Sequence, residues 1–199
     1  MLNKYINKKY LSFESLKSKF IHAKPFSHLV LKDFFSKNFI NNFLNELKKE
    51  NFEHKESDLF SFMQTHDLSS SNNHIVIEFY QFLNSNEFKE YLQKITGISA
   101  FGKIDCSGFI YTSKDYLLPH DDKLGSRKIA YVLNLSRDFL KRDGGSLDFF
   151  SKNKTVKSII PSFNTFIIFK VTIGKSYHQV NEVLIDKKRL SVAGWFNDK

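Results

Sequence analysis

In the first hundred positions, apolar residues recur every three or four places; in the second hundred they alternate with polar ones in short runs. The first spacing lines one face of a helix and the second lines one face of a strand. "SKNFINNFLNELKKE" puts Ile40, Phe43, Leu44 and Leu47 on one stripe behind Ser36 as the capping residue. "SNEFKEYLQKITG" begins in the same way at Ser85, carries Phe88, Leu92 and Ile95 on one face and stops at Gly97. "FSHLVLKDFF" predicts an early strand running into the first of these helices. "NHIVIEFYQFLNS" fits either state, and its second half favours helix.

From Ile104 onward "KIDCSGFIYT", "RKIAYVLNLS", "GGSLDFF", "TVKSII", "NTFIIFKV", "SYHQV" and "RLSVAGWF" all read as strands. Gly144 and Gly145 mark a tight bend and Pro161 another. Residues 113–127, with Lys114, Lys123, Gly125 and Ser126, read as a loop able to close over a site. Short strands behind a helical layer predict a barrel or jelly roll, mainly β, with N-terminal helices packed on one sheet. At 199 residues the chain encloses one substantial core. The expectation is a single domain over 1–199, with 1–100 a mainly helical supporting layer and 101–199 the jelly-roll core.

Composition narrows the class. No run approaches the roughly 18 apolar residues of a membrane span, and the basic N-terminus lacks the apolar core of a secretory signal. One cysteine, Cys106, cannot form an internal disulfide, which suits a reducing cytoplasmic compartment. The net charge of +9 invites a polyanionic partner, but the lysines are scattered and mixed with acids. Direct nucleic-acid binding is therefore not expected as the main function; help in approaching a nucleoprotein is.

The candidate chemistry begins at "PHDD". Residues two apart in a strand share a face, so His120 and Asp122 point inward together while Asp121 points away into solvent. One imidazole and one carboxylate are an incomplete metal site. Of the other histidines, His22, His28, His54, His66 and His74 lie in the helical half, where surface or capping roles are expected. His178 lies in a late strand and could face His120 across a closed barrel. Two imidazoles and a carboxylate on one face of an iron leave three positions for substrate and oxygen. Arg189 comes eleven residues later and opens an otherwise apolar strand. No fixed acid is its obvious partner, although Asp186 and Glu182 are near in sequence; a dicarboxylate would supply the missing charge. Ser191, on the same face, adds a hydroxyl.

"PHDD", "GSR", "AYVLNLS", "GGSLDFF", "YHQVNEV" and "RLSVAGWF", in this order and spacing, resemble the Fe(II)- and 2-oxoglutarate-dependent oxygenases, within the prolyl hydroxylases. "KPFSHLVLKDFF", "DLFSFMQTHDL" and "EFKEYLQKITGI" resemble the helical layer of the branch that hydroxylates a proline in a small-subunit ribosomal protein. The resemblance implies a double-stranded β-helix in which His120, Asp122 and His178 bind Fe(II). Arg189, Ser191 and Tyr111 would hold 2-oxoglutarate, with O2 as second cosubstrate and ascorbate as a supporting reductant. It implies hydroxylation of an unactivated C–H bond, a peptidyl proline of a ribosomal or translation-related protein being the expected substrate. Tyr131 and Trp195 are expected in the core, and Arg127 to orient the metal loop, contact substrate or pair at the surface. Two departures stand out: Asn134 occupies a position where that branch commonly has tyrosine, and its members carry a second jelly-roll domain. The competing readings are a hydroxylase of a free amino acid or small metabolite, a non-catalytic jelly-roll binding protein, and a basic RNA-associated scaffold.

Overall fold

The computed structural model describes residues 2–122 and 124–198; Lys123, read above as part of a loop, lies outside them. Its helices are α1 (Leu2–Tyr5), α2 (Glu14–His22), α3 (Lys37–Leu47), α4 (His74–Asn84) and α5 (Asn86–Thr96). The strands are β1 (His28–Lys32), β2 (Phe52–Ser57), β3 (Phe60–Thr65), β4 (Asp105–Tyr111), β5 (Tyr116–His120), β6 (Arg127–Asn134), β7 (Leu147–Ser151), β8 (Lys154–Ile159), β9 (Thr165–Lys170), β10 (His178–Val180) and β11 (Arg189–Asn197).

The expected stripe on α3 is buried at Ile40, Phe43, Leu44 and Leu47. Its Phe43 ring stacks on Phe79 of α4 with centroids 3.9 Å apart. α4 is helical throughout, resolving the ambiguity in "NHIVIEFYQFLNS". α5 starts and stops as its sequence predicts: Ser85 Oγ accepts from the Phe88 N–H, and Gly97 closes the helix at φ 73°. Ser36 precedes α3 without capping it, because its hydroxyl donates to the Lys4 carbonyl at 3.1 Å instead.

The first hundred residues are less helical than expected. "DLFSFMQTHDL" belongs to a β2–β3 hairpin rather than to the helical layer, and β3 joins the main sheet by pairing with both β4 and β5. The segment 113–127, read as loop, contains β5.

The strands form one sheet in the order β1-β9-β6-β11-β4-β3-β5-β10-β7-β8, with β2 outside β3. The ribbon curls until its ends meet: Lys157 on β8 donates to Nε2 of His28 on β1 at 2.7 Å. The alternation along β11 then separates two cores. Leu190, Val192 and Phe196 face outward and join Phe20, Phe43 and Phe88 of the helices in one cluster. Trp195 packs with Phe149, Phe169 and Val180 in the other, which fills the barrel. At Gly194 the strand passes so close to β4 that a Cβ would overlap the Asp105 carbonyl. Gly194→Ala is therefore expected to cost about 1–3 kcal/mol, read as a lower urea midpoint.

Candidate metal centre and anion pocket

β5 and β10 pair antiparallel with His120 directly opposite His178. Asp122 follows the end of β5 in a left-handed conformation, φ 60°. The sequence placed it correctly for a wrong reason: a backbone turn, not strand alternation, brings its carboxylate back to the histidines. Nε2 of His120 lies 3.5 Å from one carboxylate oxygen and Nε2 of His178 3.4 Å from the other. All three ligand atoms lie within 4.8 Å of one another. Donors about 2.1 Å from a shared ion sit about 3 Å apart, so a small inward movement closes the set on a metal.

Each imidazole is already in the ligating tautomer. Nδ1 of His120 donates to the Leu118 carbonyl at 2.8 Å, and Nδ1 of His178 to the Ser176 carbonyl at 2.9 Å. A carbonyl can only accept, so Nδ1 carries the proton and, in the neutral ring, Nε2 has the lone pair a metal would need; without a metal, a protonated His120 donates from Nε2 to Asp122 instead. Burial alone would raise the Asp122 carboxyl, but the hydrogen bond from His120 and the nearby imidazoles bring it down to about 2. Burial and the neighbouring His120 lower His178 to about 4, keeping it neutral. His120 is also pulled down by burial, yet its bond to Asp122 leaves its pKa raised.

Asp121 is not solvated as its alternation suggested. It is 9% exposed, and its Oδ2 accepts from the Gly174 N–H at 2.7 Å. Trp195, expected as a core anchor, lies beside the metal cluster: its indole N–H helps hold the Asp122 carboxyl low, and is buried without a partner at hydrogen-bonding geometry. The Arg127 guanidinium stacks on the Trp195 ring at 3.3 Å instead of pairing at the surface.

Deeper in the barrel Arg189 is 1% exposed, and among the described residues no carboxylate is paired with it. Its Nε donates to the Gly145 carbonyl at 2.8 Å, one terminal nitrogen to Ser191 Oγ at 3.1 Å, and the other approaches Asn134 Oδ1 at 3.5 Å. Tyr111, opposite Arg189 in the register, places its ring 4.9 Å beneath the guanidinium. Ser191, Asn134 and Thr165 stand opposite one another on β11, β6 and β9 and so share the interior face. Asn134 Nδ2 and Thr165 Oγ1 are buried without partners.

A fully buried cation beside one idle donor on Asn134, with a second on Thr165 one strand further along the same face, is costly unless an anion joins them. The pocket thus fits a carboxylate held some distance from the metal cluster. Thr165 was missed in the sequence, and Asn134 was noted only as a departure. The available signal was a polar residue at the end of an apolar run in each of two strands, Asn134 after "IAYVL" and Thr165 before "FIIF". Tyr131 is core, its hydroxyl donating to the Asp105 carbonyl at 3.0 Å. His22, His54, His66 and His74 are exposed as expected, whereas His28 is buried at the β1–β8 seam. A cleft of about 880 Å³ opens at that seam, lined by Val30, Lys32, Ile159 and Thr165, away from the metal cluster.

A barrel carrying His–x–Asp, a distal His and a buried Arg defines a class, and the sequence agrees: residues 106–197 match the 2OG-Fe(II) oxygenase superfamily and form a domain of that family. Its cofactor is Fe(II), with 2-oxoglutarate and O2 as cosubstrates, which the donor set and anion pocket suit. More particularly, the chain is 36% identical over 201 residues to the prolyl 3,4-dihydroxylase OGFOD1 of Ostreococcus tauri, covering 90% of this chain and 39% of that protein. It is 38% identical over 189 residues to the prolyl 3-hydroxylase OGFOD1 of Xenopus laevis, covering 89% and 36%. The chain thus spans just over a third of the length of these relatives. A Pseudomonas putida prolyl-4-hydroxylase shares the fold with a TM-score of 0.75 at 14% identity, over 92% of this chain and 99% of that one. No helix among the described residues is long and apolar enough to cross a membrane.

Proposed function

We propose that this chain hydroxylates a prolyl residue of a protein substrate, and that the substrate belongs to the ribosome or the translation machinery. One observation carries the reading: a cluster of three ligand atoms within 4.8 Å and a buried guanidinium, without a carboxylate partner among the described residues, share one barrel interior. Similarity to curated prolyl hydroxylases supports the proline, and the net charge of +9 suits approach to a substrate bound to RNA.

In this assignment His120, Asp122 and His178 would hold Fe(II), the two imidazoles through the Nε2 atoms that face Asp122. Arg189 grips the distal carboxylate of 2-oxoglutarate, Ser191, Asn134 and Thr165 add donors, and Tyr111 forms the floor. When bound, iron and 2-oxoglutarate with O2 supply the oxidation that converts an unactivated C–H to C–OH. Phe149 and Phe169 pack around His178 and keep water from that side of the centre. Helices and barrel act as one domain over 1–199, since the helical side chains and the outer faces of β6, β9 and β11 build a single core. The lone, buried Cys106 suits a reducing cytoplasm.

The decisive experiment supplies Fe(II), 2-oxoglutarate and a panel of ribosomal and translation-factor peptides, and reads proline oxidation by mass spectrometry. Gain of one oxygen on a proline, with matching succinate, is the expected result. Oxidation of free amino acids but of no peptide would replace this reading with the metabolite one. The pocket assignment has its own check. Thr165→Val removes an idle hydroxyl while keeping the shape, so the cosubstrate-free protein should melt at the same temperature or higher. Loss of a hydrogen bond to a charged group, about 1.5–3 kcal/mol, should weaken 2-oxoglutarate binding to the Mn2+-loaded protein by about tenfold or more.

A further inference from the structure

The two segments that carry the metal-binding side chains are joined by more than strand pairing. β10 is three residues long, and its register with β5 slips between His178 and Val180, so the ladder alone is a short and irregular tether. Beside it stands a hydrogen-bonded bridge. Asp121 Oδ2 accepts from the Gly174 N–H at 2.7 Å. Gly174 adopts φ +70°, a conformation open to glycine at no steric cost. Ser176 is wholly buried, and its hydroxyl accepts from the Thr172 N–H at 3.0 Å. The same hydroxyl lies within donating distance of the Asp121 and Thr172 carbonyls, at 3.3 and 3.1 Å. The Ser176 carbonyl in turn receives Nδ1–H of His178. From Asp122 back through Asp121, across to Gly174 and Ser176 and on to His178, the contacts form one continuous chain.

We propose that Asp121 and Ser176 are positioning residues: they clamp the β5–β6 connection to the β9–β10 connection and thereby set the spacing between Asp122 and His178. The clamp rests on the metal-centre reading above, and explains why Asp121, which lies between two of the proposed ligands in sequence, is itself buried. Within the clamp Asp121 Oδ2 accepts the Gly174 N–H, a role that an amide oxygen can fill.

The test is Mn2+ titration of the metal-free protein by electron paramagnetic resonance, with the melting temperature of each metal-free variant recorded alongside. Asp121→Ala should weaken Mn2+ binding about tenfold or more, as loss of an outer partner of a metal ligand does. Asp121→Asn should restore affinity to within about threefold of the parent. Ser176→Ala, which keeps the Asp121–Gly174 bond, should show an intermediate loss, and it decides the matter if Asp121→Ala does not fold. Parent-like affinity in Asp121→Ala, equal losses in the alanine and asparagine variants, or parent-like affinity in Ser176→Ala when Asp121→Ala is unfolded would each overturn the clamp. A parent protein that binds no Mn2+ would overturn the metal centre itself, a result distinct from failure of the clamp alone.

Discussion

Arg189→Met abolishes productive 2-oxoglutarate binding while leaving the metal-free protein at least as stable as its parent. Two opposing quantities set this expectation. The parent buries a guanidinium with which no acid among the described residues is paired, a cost that falls on the metal-free, cosubstrate-free state. Methionine fills a similar volume without charge, so removing the cation offsets the lost Gly145 and Ser191 hydrogen bonds. With cosubstrate present the balance reverses: the dicarboxylate would bury one end against no cation, at about 3–5 kcal/mol. At about 1.4 kcal/mol per tenfold, that corresponds to a fall in affinity of several hundredfold or more. Calorimetric titration of 2-oxoglutarate into Mn2+-loaded protein measures it, and thermal melting of the metal-free protein measures the other half. Affinity within a few fold of the parent would remove Arg189 from the cosubstrate site.

Asp122→Ala should be the most damaging substitution for the metal. It deletes the carboxylate that both imidazoles address at 3.4–3.5 Å. The loss of Mn2+ affinity should exceed the roughly 10–100-fold typical of an outer partner. Acidity should act in the same direction on the parent. His120 has a raised pKa, so as pH falls through the upper histidine range its Nε2 takes a proton and Mn2+ binding weakens. Stability of the metal-free protein follows the other two groups. His178 titrates near 4 when folded, below its usual 6.5, so the unfolded chain binds more protons between those values and stability drains away as pH falls through that window. Asp122, depressed to about 2 from 3.8, adds a further loss as pH falls from about 4 toward 2. His120, shifted upward, opposes the trend. A melting profile flat from pH 6.5 to 4 would contradict the buried, neutral state of His178, and an Asp122→Ala protein that still loads Mn2+ normally would contradict the ligand set.

Much of this was legible because side chains alternate along a strand, so that one face of β11 meets the helices and the other lines the barrel. Arg189 and Ser191 stand two apart in an apolar strand, and the same period that makes β11 a strand places them together. The two parallel readings of α3 and α5 rested on helical stripes that the structure buries. The β2–β3 hairpin was not legible, because "FEHKES" is exposed or only half-buried along its length and shows no alternation to read. Asp122 was found by spacing although its backbone leaves the strand at φ 60°. Asp121 was misread since its partner, Gly174, lies 53 residues away and is joined through a backbone N–H that no side-chain pattern betrays. Thr165 and Asn134 become conspicuous only once the register lines them up with Ser191 on the interior face, each with a buried polar atom that has no partner.

The closing of the sheet has a consequence for how the protein tolerates change. Its two outermost strands meet through the Lys157 ammonium and the His28 imidazole, so at that level the girth of the barrel depends on the reach of a lysine arm rather than on the fixed repeat of a ladder. Replacing either residue would alter the width of the gap and leave untouched the pairing that holds positions 120 and 178 face to face. The change would still reach the reactive centre through packing, because the His28 ring lies 5.1 Å from that of Phe149, the residue paired with His178.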